Sequence, residues 1–292
     1  QLVTTASTGA SVTVQIPVGG AQSASNVATG GVAFDPLTSG SATVSATIPG
    51  IVAQTTATRT VTVTAPGINL SGTTVGAGLQ RSWFGSLGAS NHGGVTVRVE
   101  SPNPQVLLIS PNATTAGTAF VDIPVANGQT SFSFYVQGVE GQTGSVSVTA
   151  SAPGFTSRSA AYAVVQPGLD ISGLSLSTTT LSPDDGFVVR IGLPNGANTG
   201  LTQLQNIRAG GTALTATVVT SAPGVGQLVT TASTGASVTV QIPVGGAQSA
   251  SNVATGGVAF RPLAVGSTVV SATIPGVIAT TSGASKTVSV QP

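Results

Sequence analysis

The chain has 292 residues, of which 40% are hydrophobic and only 5% charged, with a formal net charge of +1, one histidine and no cysteine. Globular chains ordinarily carry about a quarter charged residues, so this surface is built mainly from Ser, Thr, Gly, Asn and Gln and offers no basic stripe to nucleic acid. Without cysteine there is neither a disulfide framework nor thiolate chemistry, and no apolar run approaches the ~20 residues of a membrane helix.

Taken in chain order, the predicted elements share an apolar period of two. "SVTVQIP" (Ser11–Pro17), "TVTVT" (Thr60–Thr64), "GVTVRVES" (Gly94–Ser101), "SFSFYV" (Ser131–Val136), "GSVSVTAS" (Gly144–Ser151) and "TVSV" (Thr287–Val290) alternate apolar with small polar residues. Alternation sets one face of a strand in a core and the other in water, and Val and Thr suit such half-buried surfaces. The 39 glycines and 17 prolines punctuate these runs, with "SPDDGF" (Ser182–Phe187) reading as a turn. No stretch carries a helical pattern. The predicted class is all-β, with short strands whose spacing suits sandwiches of about 100 residues.

Residues 1–34 recur without a change at 227–260, an offset of 226. "APGINLSG" (Ala65–Gly72) and "QPGLDISG" (Gln166–Gly173) are one phrase in two spellings, and "VQP" closes the chain. Proline lacks an N–H and glycine frees the backbone, so Pro-Gly marks a boundary. Pro66 to Pro167 spans 101 residues and Pro167 to Pro292 spans 125, which together restore the 226. Two module types therefore alternate: 1–65 is the C-terminal half of a B module, 66–166 a complete A and 167–292 a complete B. A and B are distant relatives, "AFVDIPVANGQ" (Ala119–Gln129) answering "VTVQIPVGGAQ" (Val238–Gln248). After Phe34 and Phe260 the identity breaks: Asp35 stands where Arg261 does, and 11 of the next 15 positions match. With no methionine and a start at Gln1, the chain reads as a window on something longer. Residues 1–65 are then completed by an upstream segment, or by another molecule through strand complementation.

The A module, through "VTVRVESPNPQVLLI" (Val95–Ile109), "VDIPVANGQTSFSFYVQGVEGQTGSVSVTASAPGFTS" (Val121–Ser157) and "AAYAVV" (Ala160–Val165), resembles the bacterial immunoglobulin-like tandem repeats of large surface proteins and adhesins. The B module is similar more loosely, through "IPVGGAQ" and "VSATIPGV". The resemblance implies tandem immunoglobulin-like β-sandwich modules in an extended array, serving as stalk or fibre at the cell surface; it implies no activity, because sandwiches host many functions.

Candidate chemistry is sparse. His92, in "GASNHGG", reads as a loop residue and not the base of a triad. Asp184 and Asp185 are the one adjacent acidic pair; with Asp170 they form a weak candidate cation site, against a Pro-Asp-Asp-Gly turn in which the side chains bond the backbone. Lys286 is the only lysine, so the A module holds no Lys–Asn isopeptide brace. Trp83 and Phe84 are the richest aromatic pair, read as core or joint packing and otherwise as an interaction surface. The B insertion "NGANTGLTQLQNIRAGGTA" (Asn195–Ala213) is the second candidate binding element. Asn69-Leu-Ser71 and Asn112-Ala-Thr114 match glycosylation acceptors by chance, and the Gly-Gly pairs lack the Lys-Ser/Thr of a phosphate loop. No catalytic set and no cofactor are expected. The reading is an extracellular structural segment that partners copies of itself; the alternative is an adhesin array binding glycan or protein.

Overall fold

The computed structural model describes all of residues 1–292. It is nearly all β, with several sheets, no α-helix and three single-turn 3₁₀ segments. The alternating runs at 94–101, 131–136, 144–151 and 287–290 become strands Val95–Glu100, Ser131–Gly138, Gly144–Ser151 and Ser285–Gln291. One expectation fails: 11–17 lies in no strand, although the same residues at 237–242 form Ser237–Ile242. That strand exists because Leu214–Thr220 pairs with it along its whole length, Leu214 opposite Ile242 and Val219 opposite Ser237. Alternation supplies a face, and a neighbour supplies the ladder.

The chain forms two compact units, one of Gln1–Pro66 with Gly154–Thr156, the other of Gly67–Pro153 with Ser157–Pro292. In the second unit, residues 68–165 build two sheets. One runs in the order Leu107–Ser110, Ser131–Gly138, Leu79–Leu87, with Ile68–Leu70 also on Leu79–Leu87. The other runs Phe120–Val125, Val95–Glu100, Gly144–Ser151, Arg158–Val165, Thr74–Gly76, the last pairing parallel. Every second residue of these strands turns inward, so Val97, Val99, Leu107, Ile109, Phe134 and Tyr162 are fully buried.

Residues 168–291 repeat that plan. Ser237–Ile242, Leu214–Thr220, Gly266–Thr273, Ser285–Gln291 and Ser177–Thr179 stand in the same order as their counterparts, again with a parallel last strand. The other sheet runs Thr234–Gly235, Gly226–Val229, Val258–Pro262, Asp185–Pro194, Gly168–Ser172, Ile278–Ala279. The two Pro-Gly phrases sit at equivalent places: each opens a strand, Ile68–Leu70 and Gly168–Ser172, that pairs antiparallel with the next long one. The core between these sheets includes Leu169, Val189, Ile191, Val218, Leu228 and Val270.

The first unit holds a subset of the same strands. Leu2–Val3 pairs with Thr8–Gly9 and Ala33–Phe34, and Gly40–Ser45 pairs with Thr58–Val63. Leu2 faces Phe34 in one copy as Leu228 faces Phe260 in the other, so the register is shared.

Candidate functional site

The insertion Asn195–Ala213 joins the two sheet pairs of the second unit. Its tip is a closed loop: Asn195 Oδ1 accepts from Thr199 N at 2.8 Å, Asn195 N donates to Gly200 O at 2.9 Å, and Asn198 takes a left-handed φ of 54°. Asparagine tolerates that backbone better than most residues. Leu201–Leu204 then pairs back on Asp185–Pro194, and the following strand, Asn206–Ile207, leaves its own sheets. It lies antiparallel on Leu79–Leu87, Asn206 opposite Gln80 and Ile207 opposite Leu79. The 168–291 region thereby adds a strand to the 68–165 region.

Glutamines fix this joint. The buried Gln205 accepts from Gly76 N at 2.8 Å through Oε1 and donates to Thr74 O at 3.1 Å through Nε2. Gln80, also buried, accepts through Oε1 from Ala209 N at 3.0 Å and from Gln137 Nε2 at 2.9 Å, while its own amide donates to Ala113 O at 2.8 Å. Gln137 accepts in turn from Gly117 N at 2.8 Å. An amide side chain offers both a donor and an acceptor, so it satisfies the edge of a strand that has lost its own ladder partner. Arg208 closes the joint with a bidentate pair to Glu140, Nε–Oε1 2.8 Å and Nη2–Oε2 2.6 Å, and its backbone N donates to Gly78 O at 3.0 Å. Gly210 is required here: its φ is +76°, and a Cβ on it would fall 2.6 Å from that of Ala116.

Trp83 is half-buried on the core-facing side of its strand, opposite the buried Phe134 in the ladder; its indole N–H donates to Ser71 O at 2.8 Å, and the Arg81 guanidinium lies 4.8 Å from its ring centre. Phe84, one residue on, is 66% exposed and tilted against Trp83 at 5.8 Å. It borders a shallow groove of about 450 Å³ lined by Ile68, Leu70, Gly85 and Arg158. The structure thus separates the two: the tryptophan is packed and hydrogen-bonded, and the phenylalanine is presented.

The three aspartates of the candidate cation site are not brought together as a ligand set. Asp170 is buried and held by both nitrogens of Arg190, Nε–Oδ1 2.8 Å and Nη2–Oδ2 2.7 Å. Asp184 takes Arg261 in the same fork, at 2.9 and 2.7 Å. Asp185 accepts from Ser175 N at 2.7 Å. The turn reading of "SPDDGF" needs correcting as well, because Asp185 and Gly186 already belong to strand Asp185–Pro194 and Asp184 bonds an arginine and not the backbone. The hydrogen bonds to these carboxylates push the guanidinium pKa values of Arg190 and Arg261 up, against a smaller opposing effect of burial. No cluster of three or more His, Cys, Asp or Glu has the placement to hold a metal ion. His92 sits in its loop, with Gly94 N donating to Nδ1 at 3.1 Å; Nε2 therefore carries the proton and donates to Gln129 O at 2.9 Å.

The joint was missed in the sequence because glutamines in a Gln-rich surface carry no signal of burial. Charge did carry one. With seven acids and eight bases in the chain, each is scarce, and four Arg–carboxylate forks take up four of each.

No family model matches the chain, and no curated protein sequence matches it. Among solved structures, alpha-2-macroglobulin of Escherichia coli activated by porcine elastase is similar at 12% identity and a TM-score of 0.25. The similarity covers 94% of this chain and 26% of that one, so this chain spans about a quarter of that structure's length. At that level of likeness neither fold nor activity transfers.

Proposed function

We propose that the chain is a structural segment of a giant, repetitive extracellular surface protein of bacterial type, in which alternating immunoglobulin-like β-sandwich modules form a stalk or self-assembling filament. The observation that carries this reading is the joint: strand Asn206–Ile207 and the Gln205–Gly76, Gln80–Ala209 and Arg208–Glu140 contacts hold one sheet pair to the next without a flexible linker. A load-bearing or length-defining rod needs such fixed joints, since flexible linkers leave domain orientation free. The 226-residue repeat and the shared strand order of 68–165 and 168–291 add to it. A surface with few charges also suits lateral association, because little charge is desolvated when copies meet.

A second reading, an adhesin array, is favoured by one observation, the exposed Phe84 beside the half-buried Trp83 and its groove. Electron microscopy of the native material separates the two. Filaments or rods with an axial repeat of one pair of modules support the structural role. Isolated flexible particles, together with glycan binding lost in Phe84→Ala, support adhesion and sink the first reading.

A further inference from the structure

The 34 residues shared by 1–34 and 227–260 are one sequence in two states of burial. Ile242 and Val258 are 0% exposed, while their twins Ile16 and Val32 are 44% and 40% exposed. Phe260 is buried and Phe34 is not. In the 168–291 region these apolar positions are covered by strands from residues 168–220, above all Asp185–Pro194 and Leu214–Thr220. The first unit therefore presents an apolar face whose proper cover is visible, on the same sequence, elsewhere in the chain.

The identity between the copies breaks where that cover makes its polar contacts. Asp185 is opposite Phe260 in the ladder, which makes Asp184 the cross-strand neighbour of Arg261, and the two form a fork. The first copy has Asp35 at that place. Further on, Thr268 Oγ1 bonds Thr220 Oγ1 at 2.8 Å and accepts from Ala222 N at 2.9 Å, both inside the module. The first copy has Ala42 there. Segment 167–226 laid on the first unit would set Asp184 against Asp35, like charges directly across a ladder, and would bury the Thr220 hydroxyl without its partner.

We propose that the open face of residues 1–65 is a docking site for a β-segment patterned as Pro167–Gly226 but carrying Arg or Lys where Asp184 stands and an aliphatic residue where Thr220 stands, and that Asp35 and Ala42 reject the chain's own segment. Apolar burial supplies the attraction, and these two positions set which segment is accepted, since specificity needs a repulsive element against the near-identical competitor. Side-by-side modules of one array are thus kept from exchanging halves. The inference stands whether or not the protein forms filaments.

The test adds residues 167–226, as a separate polypeptide, to the full chain and follows hydrogen exchange in fragments that begin at or beyond Asp35, because fragments of 1–34 cannot be told from those of 227–260. Protection is expected at Gly40–Thr47, the twin of the strand that Leu214–Thr220 covers. The D184R/T220V segment should protect this stretch at concentrations about tenfold lower than the native segment, the size of one exposed ion pair turned from repulsion to attraction plus one unmet hydroxyl. On a D35R/A42T chain, which carries the residues found at 261 and 268, the order should reverse. Three outcomes overturn the proposal: protection by neither segment, equal protection by both on both chains, or equal protection by a segment of the same composition in shuffled order. Preference of the unaltered chain for the native segment overturns it as well, and points to exchange between copies.

Discussion

The two copies of the 34-residue stretch agree where a residue's partner lies within the stretch and differ where the partner lies outside it. Asn26 and Asn252 cap the same 3₁₀ turn, each Oδ1 accepting from the threonine N three residues on at 3.0 Å, with Gly30 and Gly256 at φ 93° and 92°. The Thr4–Ser7 and Thr230–Ser233 loops close with backbone bonds of 2.8 and 2.9 Å. Yet "SVTVQI" is a strand at 237–242 and no strand at 11–16. Turns close within three or four residues and carry their own bonds. A strand borrows its ladder, and half its burial, from distant chain. Identical sequence therefore isolates what the ladder from Leu214–Thr220 adds to residues 237–242 and what residues 11–16 lack.

The largest expected break in the comparison is at the paired phenylalanines. Phe260→Ala empties a fully packed site and should cost the second unit ~3–5 kcal/mol, whereas Phe34→Ala, in a site already open, should cost the first unit well under ~1.5 kcal/mol. Calorimetry of the full chain reads both. Equal costs would mean that the open copy has a core of its own. Next in size is exchange of the ladders themselves. Gly40–Ser45 has only Thr58–Val63 beside it, while Gly266–Thr273 lies between Ser285–Gln291 and Leu214–Thr220. Two-stranded ladders are marginal in water, so amides of 40–45 should exchange at least ~100-fold faster than those of 266–273. Comparable protection contradicts the dependence on a third strand.

The same distinction governs how much was legible beforehand. Period-two runs located the strands Val95–Glu100, Gly144–Ser151 and Ser285–Gln291, and the Pro-Gly phrases located the starts of Ile68–Leu70 and Gly168–Ser172. Those signals are local. The failure at 11–17 and the joint at 205–211 are both matters of partnership, which alternation does not encode. Asp184 read as part of a turn because its neighbours Pro183 and Gly186 are turn residues; its partner, Arg261, lies 77 positions away. Trp83 read as packing, and its N–H does bond the backbone, but the exposure of Phe84 beside it depended on which face of the strand met the core.

At the joint the comparison is between a neutral and a charged contact. Gln205→Ala leaves the buried Gly76 N–H without its partner and takes from Thr74 O one donor, leaving it Arg81 Nη1 at 3.3 Å, and should cost ~1–3 kcal/mol. Arg208→Ala removes a fork whose carboxylate, on Glu140, is 43% exposed, and should cost ~1 kcal/mol or less. In small-angle scattering the Gln205 variant should broaden the distance distribution of the second unit more than the Arg208 variant does. The reverse ranking would make the joint electrostatic, and it would then weaken with salt.

The smallest effect expected is on the acid limb of stability, and its direction follows from Asp122. The hydrogen bond from Arg98, Nε–Oδ1 2.8 Å and Nη2–Oδ2 2.7 Å, holds this carboxyl below its ordinary range, with burial opposing and charge attraction adding to it. A depressed acid contributes stability above its unfolded value, about 3.9, and loses it as pH falls through the lower folded value. The pair is open to solvent, 46% and 42% exposed on its two side chains, so screening keeps the contribution small. Arg98, Arg190 and Arg261 are pushed the other way, above the ordinary guanidinium value; a raised base keeps its contribution at every lower pH, so they add nothing to the acid limb. Asp122→Asn should leave the unfolding temperature at pH 7 almost unchanged and flatten its fall below about pH 4. Residues 1–65 have no Arg–carboxylate fork, since Asp35 takes the side-chain amide of Gln1 at 2.9 Å. The substitution should therefore move the acid limb of the second unit only, and an equal shift in the first would place the acid sensitivity elsewhere than in this pair.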